Sequence, residues 1–373
     1  MLEYKTVFTS PLPPYIHQNH IFFDIETTGL SPKGSILYLI GFLITIDDTW
    51  YQIQLFNEDG ESEALIIERF FSYLTKETIC IHYNGTTFDI PYLKERCKQQ
   101  NISTKPLDSI QQFDYYTVIR PLKSILNMKD CKQVTVEPYA GFFRTDTFSG
   151  KQLIEQYFLY SKLKKETYLE ALLLHNSEDL KGLTFVSFFS IFCSYGTNTT
   201  YISSSIDERP LEAGNDTPCF LIEFELPKAF PTKLAIKRSF PSSSTSKEST
   251  FSLQLWTNGN TCTICCSLVS STLKFFYPNY KEYYYLPKED MAIHKSVASF
   301  VEKEHRQKAT KSNCYIKKSG LFLPIFDSIE GHIFYHSYKD KQRYLLLDKP
   351  LTKEVQQTWI HQALRTLCLP DTP

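Results

Sequence analysis

The stretch Ile21-Phe-Phe-Asp-Ile-Glu-Thr-Thr-Gly-Leu30 carries two acids at a spacing that suits chemistry. Three apolar residues run into Asp24, and Glu26 follows two positions later. In a β-strand, residues i and i+2 share a face, about 6.6 Å apart at the strand rise. Asp24 and Glu26 therefore project together while Ile25 points back into the protein. Two carboxylates side by side on a buried strand repel each other and lose hydration, a cost that a cation between them offsets. A hard divalent ion such as Mg²⁺ or Mn²⁺, which takes oxygen ligands, suits that position. The bland alternative is an Asp-x-Glu on a solvated strand end. The apolar lead-in and the Thr27-Thr28-Gly29-Leu30 that follows weigh against it.

Two further clusters of acids stand downstream. Asp89 falls in the first turn of an expected helix, where an acid is favoured by the helix dipole alone. His175 and Asp179 stand at i and i+4, on one face if that segment is helical, and His175 could equally be a residue of helix entry. Arg144 and Lys151 read either as phosphate contacts or as solvated loop charges.

The string from Asp24 to Leu30 resembles the first motif of the DEDD exonucleases, which have a ribonuclease-H-like fold. Tyr83-Asn-Gly-Thr-Thr-Phe-Asp89 is similar to the second motif, Asn-x-x-x-Phe-Asp, and Leu174-His-Asn-Ser-Glu-Asp-Leu180 to the third. The segment from Cys131 to Tyr157, with Val136-Glu137 and Phe143-Arg-Thr-Asp-Thr-Phe-Ser-Gly150, resembles the connecting region of YprB-like ribonuclease-H domains. The resemblance thus extends over about residues 20–185.

It implies metal-dependent hydrolysis of phosphodiester bonds in single-stranded DNA or RNA from a 3′ end, with two ions, Mg²⁺ or Mn²⁺. On that resemblance Asp24 bridges both ions, Glu26 and Asp179 hold the first, and Asp89 holds the second. His175 orients or deprotonates the attacking water. Thr27, Thr28, Leu30 and Asn84 meet the substrate, Leu30 against the terminal base, with Asn84 also able to shape its turn. The third motif departs from the family: one subgroup has Tyr-x-x-x-Asp and another His-x-x-x-x-Asp, whereas histidine here occupies the tyrosine spacing and position 174 is leucine.

The elements that must position these residues follow from periodicity. Strands are expected at about 20–25, 36–46 and 49–56, the last two joined as a hairpin at Asp47-Asp48, then a helix over 62–74. A short strand over 79–83 ends at Asn84-Gly85. A helix to about Gln99 follows, with Thr86 or Thr87 as N-cap, then a strand reaching Asp114. By pattern alone this is α/β or α+β; the resemblance implies a ribonuclease-H-like mixed sheet flanked by helices.

The chain of 373 residues is long enough for two domains. Four segments are expected: an N-terminal arm at 1–19, the exonuclease domain at 20–195, a linker at 196–218 and an α+β domain at 219–373. Ser242 to Ser246 reads as a loop tip. Later expectations are strands at 219–226, 234–239, 251–256, 261–269, 313–323 and 343–347, and helices at Met291–Lys308 and about 353–367.

Charge supports this division weakly. Residues 1–185 hold 18 Lys/Arg against 23 Asp/Glu, and residues 186–373 hold 22 against 18. The stretch Leu273–Lys318 interleaves tyrosines and phenylalanines with lysines, as single-strand binders do and as ordinary strands also do.

No secretory or membrane-spanning segment is expected, and the ten scattered cysteines read as reduced thiols in a cytoplasm. Cys262, Cys265 and Cys266 give half of a zinc-site spacing within an expected strand. Two other classes stay open beside the enzyme: a weakly active nucleic-acid-binding module, and an interaction protein whose C-terminal domain recruits a partner.

Overall fold

The computed structural model describes residues 1–13, 16–192, 200–207, 218–226, 229–230, 232–243 and 250–368. Two compact units result, the first built on residues 1–192 and the second on most of the described residues from 200 onward.

The first unit is organised by a six-stranded mixed sheet in the order β1-β4-β3-β2-β5-β6. Its strands are β1 (Leu2–Val7), β2 (His20–Thr27), β3 (Leu37–Ile46), β4 (Thr49–Phe56), β5 (Ile79–His82) and β6 (Gln111–Asp114). β2 pairs antiparallel with β3 and parallel with β5, so the acidic strand sits inside the sheet where the strand direction changes. The β3–β4 hairpin turns on Asp47 and Asp48, both left-handed at φ 47 and 62, the backbone that a two-residue type I′ hairpin requires.

Both faces of this sheet are covered, which explains why β3 is buried almost throughout. On one face Ile21, Phe23 and Ile25 pack with Ile66, Ile67 and Phe70 of α1 (Glu63–Phe71) and Ile90, Leu93 and Cys97 of α2 (Asp89–Gln99). On the other, Tyr38, Leu39 and Phe56 pack with Leu153 and Tyr157 of α3 (Gly150–Leu163) and Leu169 and Leu172 of α4 (Glu166–Val186). Each such aliphatic or phenyl side chain, fully buried, contributes about 1.5–3 kcal/mol. α3 opens on a capping box, in which Ser149 and Gln152 satisfy each other's exposed backbone donors.

The second unit is sheet-rich. β7 (Thr200–Asp207), β8 (Cys219–Glu225), β9 (Ala235–Pro241), β10 (Thr250–Asn258) and β11 (Thr261–Ser267) form an antiparallel sheet in the order β7-β8-β11-β10-β9. β12 (Val269–Phe276), β16 (Tyr315–Ile325), β17 (Ile333–Tyr335) and β18 (Arg343–Leu346) close into a small barrel around Leu273, Phe322, Phe334 and Tyr344. A three-stranded sheet holds β13 (Tyr283–Leu286), β14 (Met291–His294) and β15 (Gln307–Lys308). A long helix, α5 (Lys353–Cys368), closes the described chain.

The architecture is α/β, a mixed sheet flanked by helices followed by a sheet-rich domain. Several expectations require correction. Residues 2–7 of the expected arm are edge strand β1, paired with β4 from Leu2↔Phe56 to Val7↔Tyr51 and drawn in by Leu2 and Tyr4 packing on the second core. Within the expected linker, residues 200–207 form β7, whose β-branched and hydroxyl residues suit an edge strand; the rest of it, apart from Pro218, lies outside the described residues, as do residues 244–246 of the expected loop tip.

The helix expected over Met291–Lys308 is instead strand β14, a helical turn at Lys295–Ala298, a 3-10 turn at Lys303–His305, and strand β15. Its apolar spacing misled because Val297 and Phe300 are exposed and share no core face. Among the described residues, no helix is long and apolar enough to cross a membrane.

Candidate active site

Alternation along β2 sends Ile21, Phe23 and Ile25 into the first core, and Asp24 and Glu26 to the opposite face, against α4. The approach of α4 is set by Gly41, which pairs with Asp24 across the sheet. A Cβ at position 41 would stand 1.9 Å from Asn176 Oδ1, so only glycine leaves room for that amide. Asn176 is fully buried; its Nδ2 donates to Asp24 Oδ2 at 3.0 Å, and its Oδ1 accepts from Gln54 Nε2 at 3.0 Å. One side chain thus ties α4 to both β2 and β4.

The turn after β2 is internally satisfied. Thr27 Oγ1 donates to the Gly29 carbonyl at 2.9 Å, and Thr28 Oγ1 accepts from the Ile36 amide at 2.8 Å. Leu30 stands out from it at 85% exposure. Beyond β5, Asn84 adopts φ 60 and its carboxamide oxygen accepts from Thr87 Oγ1 at 2.9 Å, while its amide donates to Asp114 Oδ1 at 2.7 Å. Asn84 therefore shapes the turn. The expected threonine N-cap of α2 is absent: Phe88 precedes the helix, which begins at Asp89 itself.

On α4, His175 and Asp179 lie one turn apart, with Nε2 3.2 Å from Oδ2. The same Nε2 is 3.7 Å from Glu26 Oε1, and Nδ1 faces Asp146 Oδ2 at 2.5 Å. Glu26 also accepts from the Tyr38 hydroxyl at 3.3 Å. Arg144 is neither a phosphate contact nor a solvated loop charge. Its guanidinium forks onto Glu137, with both contacts 2.6 Å, and reaches Asp179 Oδ1 at 2.6 Å, leaving its side chain only 10% exposed. Gly182 of α4 clears space for Glu137, whose Oε1 would lie 1.9 Å from a Cβ there. Glu178 accepts from the amides of Thr145 and Asp146 at 2.9 and 2.8 Å, which fixes the Arg144–Asp146 loop on the helix.

Burial is the first cause of the electrostatics at each of these carboxylates. Asp24 is pushed well above the usual carboxylate range by desolvation, then by the charges of Asp179, Glu26 and Asp89. Glu26 is raised to about 8 by burial, with His175 opposing. Asp89 is raised to about 7 by burial, while its own amide and that of Ile25 pull it down. Burial also disfavours the charged His175 imidazole, but Glu26, Asp179 and Asp146 outweigh that and hold its pKa above the ordinary value.

The structure thus brings Asp24, Glu26, Asp89, His175 and Asp179 into one electrostatic neighbourhood. Among the described residues, no lysine or arginine pairs with Asp24, Glu26 or Asp89. Glu26, His175 and Asp179 each offer a ligand atom, all within 4.8 Å of one another. A donor set of oxygens and one imidazole, strained by mutual repulsion, fits a divalent cation.

Asp146, Asn176, Gln54 and Tyr38 were not legible as site residues. Asp146 lies 29 positions before His175 and Gln54 lies 122 before Asn176, and neither pair has a local spacing signal. Asn176 lies inside the third motif, at a position to which the motif assigns no role.

These positions can be set against known proteins. Residues 21–187 match the ribonuclease H superfamily. No curated protein matches the chain. Among solved structures, the family B DNA polymerase of Pyrobaculum calidifontis is similar at 17% identity and TM-score 0.39, over 51% of this chain and 26% of the polymerase. A zinc-bound complex of E. coli ExoI with single-stranded DNA is similar at 12% identity and TM-score 0.29, over 55% of this chain and 54% of ExoI. The chain therefore spans about a quarter of the polymerase and about half of the exonuclease. The β2-to-α4 site lies wholly within the ribonuclease-H-like segment.

Proposed function

We propose that the chain is a metal-dependent nuclease of DEDD type, most similar in its motifs to YprB-like domains, that removes nucleotides from the 3′ end of single-stranded DNA or RNA. One observation carries the reading: three largely buried carboxylates, on β2 and at the start of α2, have raised pKa values and, among the described residues, no lysine or arginine to neutralise them. Folding such a group is costly without a cation to complete it.

Asp24, Glu26 and Asp179 would hold one divalent ion, Mg²⁺ or Mn²⁺, and Asp24 and Asp89 a second. Such ions, when bound, polarise phosphate oxygens and stabilise charge on the entering and leaving oxygens. His175, fixed through Nδ1 by Asp146, presents Nε2 beside Glu26 and Asp179, where it orders the water. The water oxygen attacks phosphorus, the bond to the preceding 3′ oxygen breaks, and a proton from the water ends on that oxygen, which leaves as a hydroxyl. Leu30, apolar and exposed, would rest against the terminal base, on a turn held by Thr27 and Thr28 with Asn84 shaping the neighbouring one.

A second reading has an observation of its own. Both oxygens of Asp179 already face cationic partners, Arg144 and His175, which suits a nucleic-acid-binding module with weak turnover. Incubation with Mn²⁺ or Mg²⁺ and 5′- or 3′-labelled single-stranded DNA and RNA separates the two. Shortening from the 3′ end, absent in Asp24→Asn, supports the enzyme; binding with no product in any metal supports the module.

A further inference from the structure

The second unit contains a cleft of about 730 Å³, within the ~300–1,000 Å³ that holds small ligands. It lies where β12 and β17 end and β18 begins, and Phe276, Tyr277, Tyr335 and Tyr338 line it beside Lys311 and Arg343. Tyr338 is half exposed, and its ring makes a T-shaped contact with that of Phe276 at 5.5 Å. Lys341 adds a third cation to the lining. The single acid among the described lining residues, Asp340, is buried and accepts from Ser243 Oγ at 2.6 Å and the Gln342 amide at 3.0 Å.

Only part of the aromatic stretch Leu273–Lys318 reaches this cleft. Tyr285 and Tyr315 spend their hydroxyls on Asp290, which also pairs with Lys317, and Tyr283 stacks on Tyr277. Phe276, Tyr277 and Lys311 of the stretch meet Tyr335, Tyr338 and Arg343 from beyond it.

We propose that this cleft binds a nucleobase with its attached phosphate, stacking the base on the aromatic walls and pairing the phosphate with Lys311 and Arg343. Aromatic rings beside cations, with Asp340 buried, match a group that is flat at one end and anionic at the other. An acidic peptide would use the cations and leave the rings idle. Single-stranded nucleic acid and free nucleotide share the required chemistry. The choice of nucleic acid as ligand rests on the proposed function, although the binding itself requires no turnover.

The test is anisotropy of the full chain in EDTA, with labelled dT12, an abasic 12-mer and polyglutamate, and thymidine 5′-monophosphate as competitor. The full chain should prefer dT12 over the abasic strand at least tenfold. Tyr338→Ala should weaken dT12 binding by about 5- to 150-fold, the range for losing one stacked base, and erase that preference. Lys311→Glu, at an exposed position, should weaken both strands and flatten the salt dependence. Competition by the nucleotide that Tyr338→Ala abolishes would support the site with free nucleotide as its ligand. The inference is overturned if folded Tyr338→Ala and Lys311→Glu bind dT12 as the unaltered chain does, or if polyglutamate binds as tightly as dT12. EDTA silences cleavage, so loss of nuclease activity with this binding intact would retire the proposed function alone.

Discussion

Two kinds of buried acid coexist in the first unit. Glu63 and Glu137 are almost fully buried, and each is met by a guanidinium: Arg96 NH2 lies 2.7 Å from Glu63, and Arg144 forks onto Glu137. Asp24, Glu26 and Asp89 have no such partner, and burial, which raises all three, is not opposed there by a guanidinium as it is at Glu137. The same domain thus supplies arginine where an acid is structural and withholds it where three acids meet. An acid whose two oxygens are both held by one guanidinium has nothing to offer an incoming ion. Asp24, Glu26 and Asp89 are held by none.

The sharpest way to break this contrast is Asp24→Asn, which should abolish cleavage because an amide cannot supply the charge shared between two ions. An ion at about 100 times its dissociation constant adds roughly 2.7 kcal/mol of stability, so Mn²⁺ should raise the melting temperature of the unaltered chain and much less that of Asp24→Asn. In EDTA the variant should be at least as stable as the unaltered chain, since one source of repulsion is gone. Cleavage by Asp24→Asn at the unaltered rate would refute the site.

The paired acids should respond in the opposite sense. Arg96→Ala leaves Glu63 buried without its partner, a change expected to cost about 3–5 kcal/mol. Chemical denaturation should read that loss equally with and without Mg²⁺. Recovery of the variant by Mg²⁺ would erase the distinction between the two kinds of acid.

Next in size is His175. Replacing it with alanine should lower turnover on the order of 10²-fold, the usual scale for a positioned proton-transfer group. His175→Tyr should keep substantial activity, because a phenol there can still order water. Single-turnover rates on a labelled oligonucleotide distinguish the two, and unchanged turnover in the alanine variant would make His175 structural.

The smallest effect is the pH dependence of the metal-free chain. Glu26 and Asp89 hold protons in the folded state up to about pH 8 and 7, whereas the unfolded chain releases them near pH 4. The folded state therefore binds more protons across that interval, and stability falls as pH rises through it. Melting in EDTA should decline from pH 5 to pH 8, and saturating Mg²⁺ should flatten the decline. A metal-free stability that rises over this interval would show that these acids ionise freely.

Much of the first unit was legible because its signals are local. Ile21-Phe-Phe preceding Asp24 marks an interior strand, Asp47-Asp48 marks a hairpin, and the third motif marks one face of α4. What escaped depends on distant partners. Arg144 looked like a solvent charge because Glu137 and Asp179 approach it only through the folded loop. Asp146 gave no signal at all until α4 brought His175 to it. In the second unit, apolar residues at 293, 297, 300 and 301 copied a helical period without a core to face, and the strand at 200–207 looked like linker because an edge strand tolerates serine and threonine.

Gly41 has a mechanical consequence. The gap between α4 and the sheet is gauged by the thickness of one carboxamide, seated where a hydrogen atom stands in place of a side chain. His175 and Asp179 ride on that helix while Asp24 and Glu26 stay on the strand. The two halves of the acid cluster are therefore calibrated by a spacer that takes no part in the chemistry. A single methyl group at position 41 is a wedge. It would pry the halves apart while every acid, and the histidine, kept its identity.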